Sequence, residues 1–220
     1  MLTTIALATA LLTTQQAAEK WDLKGLAANT TSTWDIHVKA LDNGEEHEAT
    51  FKLGLTLKEV DKEKSFPAEM SWNELLVDGG QAMGDMSWNV RLNPKGLVSE
   101  GAEGDDSIRR MLTPLVFVFP DKPVGVGDTW TETLKAGTDK DDQSVTLEFK
   151  AEAIEKVKDV DALKVTEKLT EKGPEGTTGE GTWWVSKEGK VLKFETKVKK
   201  WLVPMAGSAF EATIKGELAK

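Results

Sequence analysis

Residues 33–57 read TWDIHVKALDNGEEHEATFKLGLTL, and this stretch decides the fold class. Trp34, Ile36, Val38 and Ala40 alternate with Asp35, His37 and Lys39, the period of two that a strand buried on one face requires. Asn43-Gly44 marks a tight turn, because both residues tolerate the positive φ angles of a two-residue type I′ hairpin. That turn dictates a register. Trp34 falls opposite Leu53, Ile36 opposite Phe51 and Val38 opposite Ala49, while the other face pairs Asp35 with Lys52 and Lys39 with Glu48. A slip of one residue would exchange the two faces, so matched apolar and charged pairs together predict an antiparallel hairpin.

The same alternation spreads outward. Val145, Leu147, Phe149, Ala151 and Ala153 form one series, and Leu163 and Val165 belong to the next strand. Leu192, Phe194, Thr196 and Val198 form another, followed by Phe210, Ala212 and Ile214. Asn93-Pro94-Lys95-Gly96 has the residues a type I turn favours, and Ser186-Lys187-Glu188-Gly189 is a weaker copy; each predicts a hairpin. Residues 101–111 break the pattern. Asp105 or Asp106 is placed to cap a short helix ending by Leu112, before Pro114. Leu115–Phe119 reads as a buried strand or helix end. Pro120 and Pro123 bracket a turn, and Val124–Asp128 leads into a strand at Trp130.

A shift of 96 residues lays Thr33-Trp34 on Thr129-Trp130, Lys39-Ala40 on Lys135-Ala136, Thr50 on Thr146 and Glu59 on Glu155. Six of 27 ungapped positions are identical, which predicts a duplicated unit of about four strands. One position disagrees: Glu132 stands where Ile36 points inward. The expected fold class is mainly β. A large, curled, half-barrel-like antiparallel sheet is built from two duplicated halves with one or two short helices; a two-sheet β-sandwich is the alternative. The expected segments are 1–18 as a signal peptide, 19–100 as the first β-half, 101–128 as a connector with a short helix, and 129–220 as the second β-half. Together the last three make one compact domain.

Composition narrows the function. The 220 residues carry 28 basic and 37 acidic side chains, a formal charge of −9, whose field opposes nucleic-acid phosphates and anionic lipid. There is no cysteine, which excludes disulfides, thiolate metal sites, cysteine nucleophiles and a lipid-anchored cysteine. Tyrosine is absent too, whereas tryptophan occurs eight times. Residues 1–18 hold no charge and end in Ala17-Ala18, the pattern of a secretory signal peptide; an apolar strand or helix packed on the domain is the other reading. The chain is expected to be exported, periplasmic or extracellular, with no transmembrane span in the mature part.

Pro94-Lys-Gly-Leu-Val98, a short apolar helix, Pro120-Asp-Lys-Pro-Val-Gly-Val-Gly-Asp-Thr-Trp130 and Gly181-Thr-Trp-Trp-Val-Ser-Lys-Glu-Gly189 follow one another in this order. Over residues 85–200 this resembles a family of exported bacterial β-rich proteins of unknown function. Its members carry a P-x-x-P-V-x-V-G-D-x-W segment between two β-rich halves. More distantly, the layout is similar to the curled sheets of LolA-like periplasmic lipoprotein carriers. Neither resemblance supplies catalytic residues. Some relatives are expected to be lipoproteins, a route closed here by the missing cysteine.

No catalytic residue, metal site or cofactor is expected. His37 and His47 fall on opposite faces of one hairpin and cannot share an ion. Val124-Gly-Val-Gly-Asp128 lacks the lysine of a phosphate loop and reads as a turn in which Asp128 bonds locally. Asp139–Asp142 lacks the later ligands of a calcium loop. The tryptophans remain. Trp183 and Trp184 are adjacent, so in a strand they face opposite ways, and Lys193 is placed to stack on the outward ring. Trp72, Trp88, Trp183, Trp184, Met86 and Met111 are the candidate ligand-binding residues, with Met70 and Met83 as further candidates for an apolar concave face. The reading that follows is a non-enzymatic module that binds or carries an apolar small molecule, lipid or envelope component. A carbohydrate- or surface-binding module and a hydrolase using paired carboxylates are the alternatives.

Overall fold

The computed structural model describes residues 19–81, 84–100, 106–135 and 144–219. The expected signal peptide, Met83 and the acidic run Asp139–Asp142 lie outside them. Twelve strands are described: β1 (Thr30–Asp42), β2 (Glu45–Leu57), β3 (Phe66–Val77), β4 (Gly80–Gln81), β5 (Met86–Leu92), β6 (Val98–Glu100), β7 (Thr129–Leu134), β8 (Val145–Val157), β9 (Val160–Glu171), β10 (Thr178–Ser186), β11 (Val191–Leu202) and β12 (Ala209–Leu218). All join one antiparallel sheet in the order β6-β5-β3-β2-β1-β12-β11-β10-β9-β8-β7, with β4 paired to β3. The sheet curls until it is nearly closed. One continuous hydrogen-bonded order replaces the sandwich alternative.

The hairpin of residues 33–57 has the expected register throughout, including Trp34↔Leu53, Ile36↔Phe51, Val38↔Ala49, Asp35↔Lys52 and Lys39↔Glu48. Its turn has positive φ at Asn43 (50°) and Gly44 (90°), as a type I′ turn demands. The Asn93–Gly96 and Ser186–Gly189 turns close the β5/β6 and β10/β11 hairpins through Gly96 N→Asn93 O and Gly189 N→Ser186 O bonds of 3.0 and 2.9 Å. Register shifts in β2/β3, β8/β9, β10/β11 and β11/β12 mark bulges, which raise local twist and bend a wide sheet into a curl.

The concave face is filled by the connector. A helix, α1 (Asp106–Leu112), gives way at Pro114 to a 3₁₀ turn and then to extended chain. Val116, Phe117, Val118 and Phe119 are all buried but pair with no strand along their length. A buried unpaired backbone needs donors, and indoles supply them: Trp130 Nε1 donates to Val118 O (2.9 Å) and Trp201 Nε1 to Met111 O (2.9 Å). Phe117 lies at the aromatic centre, with Phe119, Phe149, Trp183 and Trp130 rings 5.1 to 6.1 Å away.

Trp34 and its counterpart at a shift of 96, Trp130, differ. Trp34 is buried, but Trp130 is only half-buried, because β7 is the last strand of the sheet and has no neighbour beyond it. The misplaced Glu132 is explained by the same edge. Its carboxylate takes Asn93 Nδ2 (3.1 Å) and Lys95 Nζ (2.7 Å), so the β5/β6 turn clips onto β7.

Candidate functional site: a cleft at one end of the curl

The end of the curl beside β1 and β11 is crossed by residues 19–28. Trp21 and Val124 exchange two backbone hydrogen bonds of 2.7 and 2.9 Å, and Trp21 and Leu23 are buried. Lys187 Nζ ties Glu19 at 2.7 Å. Between this strap, at Gly25–Ala27, and the Ser186–Val191 hairpin end opens a cleft of 550 Å³. Leu55 lies half-buried on its wall beside Trp34, with Leu57 and Val191; Met70, Phe117 and Phe194 form its depth. Trp34 is held by a 3.0 Å bond from Nε1 to Val191 O, which spans the cleft wall from β1 to β11. The wall strand between them, β12, presents Gly216 inward, where a Cβ would stand 2.2 Å from the Phe194 ring. That glycine leaves room for the Phe194 ring to lie over the strand.

The sequence-derived candidates do not gather at one point. Trp72 and Met86 are cross-strand partners, as are Met70 and Trp88, all on the concave face of β3 and β5. Trp72 stacks on Phe51 at 4.5 Å, and Trp88 meets it edge-on at 5.4 Å. Trp72 and Met111 are buried, Trp88 and Met86 half-buried, so these four pack in the core. Of the methionine candidates described, Met70 alone lines the cleft.

Trp183 and Trp184 do face opposite ways. Trp183 points inward, stacks on Phe194 at 4.7 Å and lines the cleft. Its Nε1 donates to Glu167, a carboxyl that is 4% exposed; among the described residues Glu167 Oε1 and the nearby Thr196 Oγ1 have no hydrogen-bond partner. Burial pushes the Glu167 carboxyl up to about 8, against the pull of the indole N–H. The residue was legible by parity, since Leu163, Val165, Glu167 and Leu169 run along one face of β9. Trp184 points outward and donates to Glu155 at 2.9 Å, while Lys193 Nζ stands 4.8 Å over its ring, as expected, and Lys164 Nζ 5.8 Å. The indole and the Lys164 ammonium hold the Glu155 carboxyl below its usual range.

His37 and His47 lie at β1 and the β2 rim, 3.8 Å from Glu48 and 2.8 Å from Asp78 respectively. Asp128 bonds locally, accepting Gly125 N at 2.9 Å. Among the described residues no group of three or more His, Asp or Glu side chains is placed to hold a metal, and no helix is long and apolar enough to cross a membrane. Cleft residues Leu55 and Trp34 could be placed on one face by alternation; the strap at residues 19–28 had no sequence signal.

No protein-family model and no curated protein matches the chain. Among solved structures, a protein from Bacteroides fragilis NCTC 9343 described as exported, with a YmcC-like fold, aligns over 88% of this chain and 98% of its own at 9% identity and a TM-score of 0.34. A protein from Parabacteroides distasonis ATCC 8503 described as a lipoprotein aligns over 90% of this chain and 100% of its own at 12% identity and a TM-score of 0.36. Likenesses at this level carry no argument about function.

Proposed function

We propose that the chain is an exported, non-enzymatic module that takes an apolar ligand, a lipid or another apolar envelope component, into the cleft between the strap and β10/β11. The observation that carries this reading is an apolar concavity left open at one end of the curl. Its 550 Å³ falls within the roughly 300–1,000 Å³ of small-molecule sites. Leu55 stays half-exposed there although its strand neighbours Leu53 and Leu57 are buried. Covering such a wall with an apolar chain removes it from water, at roughly 25 cal/mol per Å².

Tryptophan emission tests the reading, because Trp34 and Trp183 both line the cleft. Titration with dodecanol or dodecyl maltoside is expected to blue-shift the emission, and maltoheptaose is expected to leave it unchanged. Leu55→Asp should abolish the shift. An unchanged spectrum with every apolar ligand would remove the proposal.

The same reading takes the sheet as two related halves, residues 19–100 and 129–220, joined by the connector at 101–128. Register supports it: Trp34↔Leu53 and Ile36↔Phe51 in β1/β2 become Trp130↔Phe149 and Glu132↔Leu147 in β7/β8 when shifted by 96 residues.

A further inference from the structure

The sheet is nearly closed but keeps two edges, and the longer of them is β7. No strand lies beyond β7, so half of its backbone groups point away from β8. Which half follows from the 2.9 Å bond that Ala151 N gives to Asp128 O just before the strand. Bonded pairs alternate along an antiparallel ladder, so Trp130, Glu132 and Leu134 exchange bonds with Phe149, Leu147 and Val145 on β8. The 3.3 Å contact between the Thr133 and Thr146 hydroxyls fits the closer side chains of a non-bonded pair. The N–H and C=O groups of Thr129, Thr131 and Thr133 are therefore turned outward, and among the described residues they have no backbone partner. All three threonines are exposed. Exposed edges are commonly guarded by lysine, proline or a bulge, and β7 contains none of these. Its one charged side chain, Glu132, is turned away and held by Asn93 and Lys95.

We propose that β7 pairs antiparallel with β7 of a second copy of this chain, about a two-fold axis at Thr131. The outward groups are spaced symmetrically about that residue. The register sets Thr131 against Thr131 and Thr129 against Thr133 of the other copy, so each free donor on one edge meets a free acceptor on the other. This self-complementarity is what selects a second copy as the occupant. On the outer face threonine meets only threonine, a favourable cross-strand pair that brings no charges together on a chain of net charge −9. Trp130, half-buried for want of a neighbouring strand, gains one. The two-fold contact closes on itself, whereas pairing β7 with the three-residue β6 of another copy would run head to tail and propagate.

Light scattering over a concentration series and cysteine cross-linking test this. The full chain is expected to reach twice its monomer mass. Thr131→Pro is expected to weaken dimerisation about tenfold or more, because proline removes an N–H that points outward, while the ladder to β8 and the urea midpoint are kept. The chain has no cysteine of its own, so an introduced one reads the register directly. Cα atoms of a bonded pair stand roughly 5.5 Å apart, within disulfide reach, so Thr131→Cys is expected to form a covalent dimer under mild oxidation. Thr129→Cys is expected to form none, because its two copies lie four residues of strand apart, roughly 13 Å. A monomeric parent chain, dimers indifferent to Thr131→Pro, cross-linking of Thr129→Cys in preference to Thr131→Cys, or a ladder of larger species each overturns the proposal. The cysteine pair decides even where the proline variant fails to fold. Leu55→Asp should dimerise normally, so this proposal and the cleft reading fail separately.

Discussion

Trp183 and Trp184 stand side by side on β10, each giving its indole N–H to a glutamate, and the two glutamates titrate in opposite directions. Glu167 faces the core, where burial penalises its charge more than one donor can offset, so it is held neutral near pH 7. Glu155 faces water, where the same donor and an ammonium group favour the charge. The indole contact is the same; the dielectric around it decides what it does. Trp183 of the inner pair lines the apolar cleft, whereas the outer pair stands on the wet face of the sheet.

The largest expected break in this symmetry is Trp183→Ala. It should cost roughly 3–5 kcal/mol in urea unfolding, from the lost ring and the stranded carboxyl, while Trp184→Ala should cost about 1 kcal/mol or less. Comparable losses would show that the two sites are equally buried in solution.

Glu167→Gln sharpens the contrast in pH. The folded carboxyl titrates near 8 and the unfolded one near the ordinary glutamate value of 4.5, so the folded state keeps a proton that the unfolded chain has released. Stability contributed by the neutral form is therefore full below about pH 4.5 and falls as pH rises toward 8. The variant should lose less over this window, by roughly 2–4 kcal/mol. Parallel urea midpoints for both proteins from pH 5 to 9 would contradict the assignment.

Gly181→Ala probes how closely the inner pair is packed. A Cβ there would stand 2.9 Å from Glu167 Oε2 and 3.2 Å from Trp183 Nε1, so a loss of roughly 1–3 kcal/mol is expected in thermal unfolding. The smallest effect belongs to Glu155→Gln. Its lowered carboxyl stabilises the fold above its unfolded pKa and stops doing so as pH falls through the folded one. Solvent screening at this half-exposed site keeps the difference to about 0.5 kcal/mol or less, read as a slightly flatter acid limb.

Legibility followed the range of the interaction. The register of residues 33–57, the two glycine turns and the helix stopped by Pro114 all come from neighbours in sequence, and alternation alone placed Trp183 and Trp184 on opposite faces. The same alternation carried Glu167 on the inner face of β9, unremarked among 37 acidic residues. The candidates Trp72, Trp88, Met86 and Met111 were selected by residue type. Type does not tell a core-filling ring from a cleft-lining one, because the difference lies in what covers it.

Local chemistry by itself therefore determined the strands, their tight turns and the faces their side chains share, since φ preferences and a period of two act over a few residues. Tertiary structure decided that β12 lies between β1 and β11, that the connector fills the concavity, and that the strap leaves Leu55 in an open cleft. These depend on strand edges and apolar faces meeting across more than a hundred residues of chain, such as Trp34 with Val191. An alternating strand is satisfied by many partners; the excluded volume of the nearly closed curl selects among them.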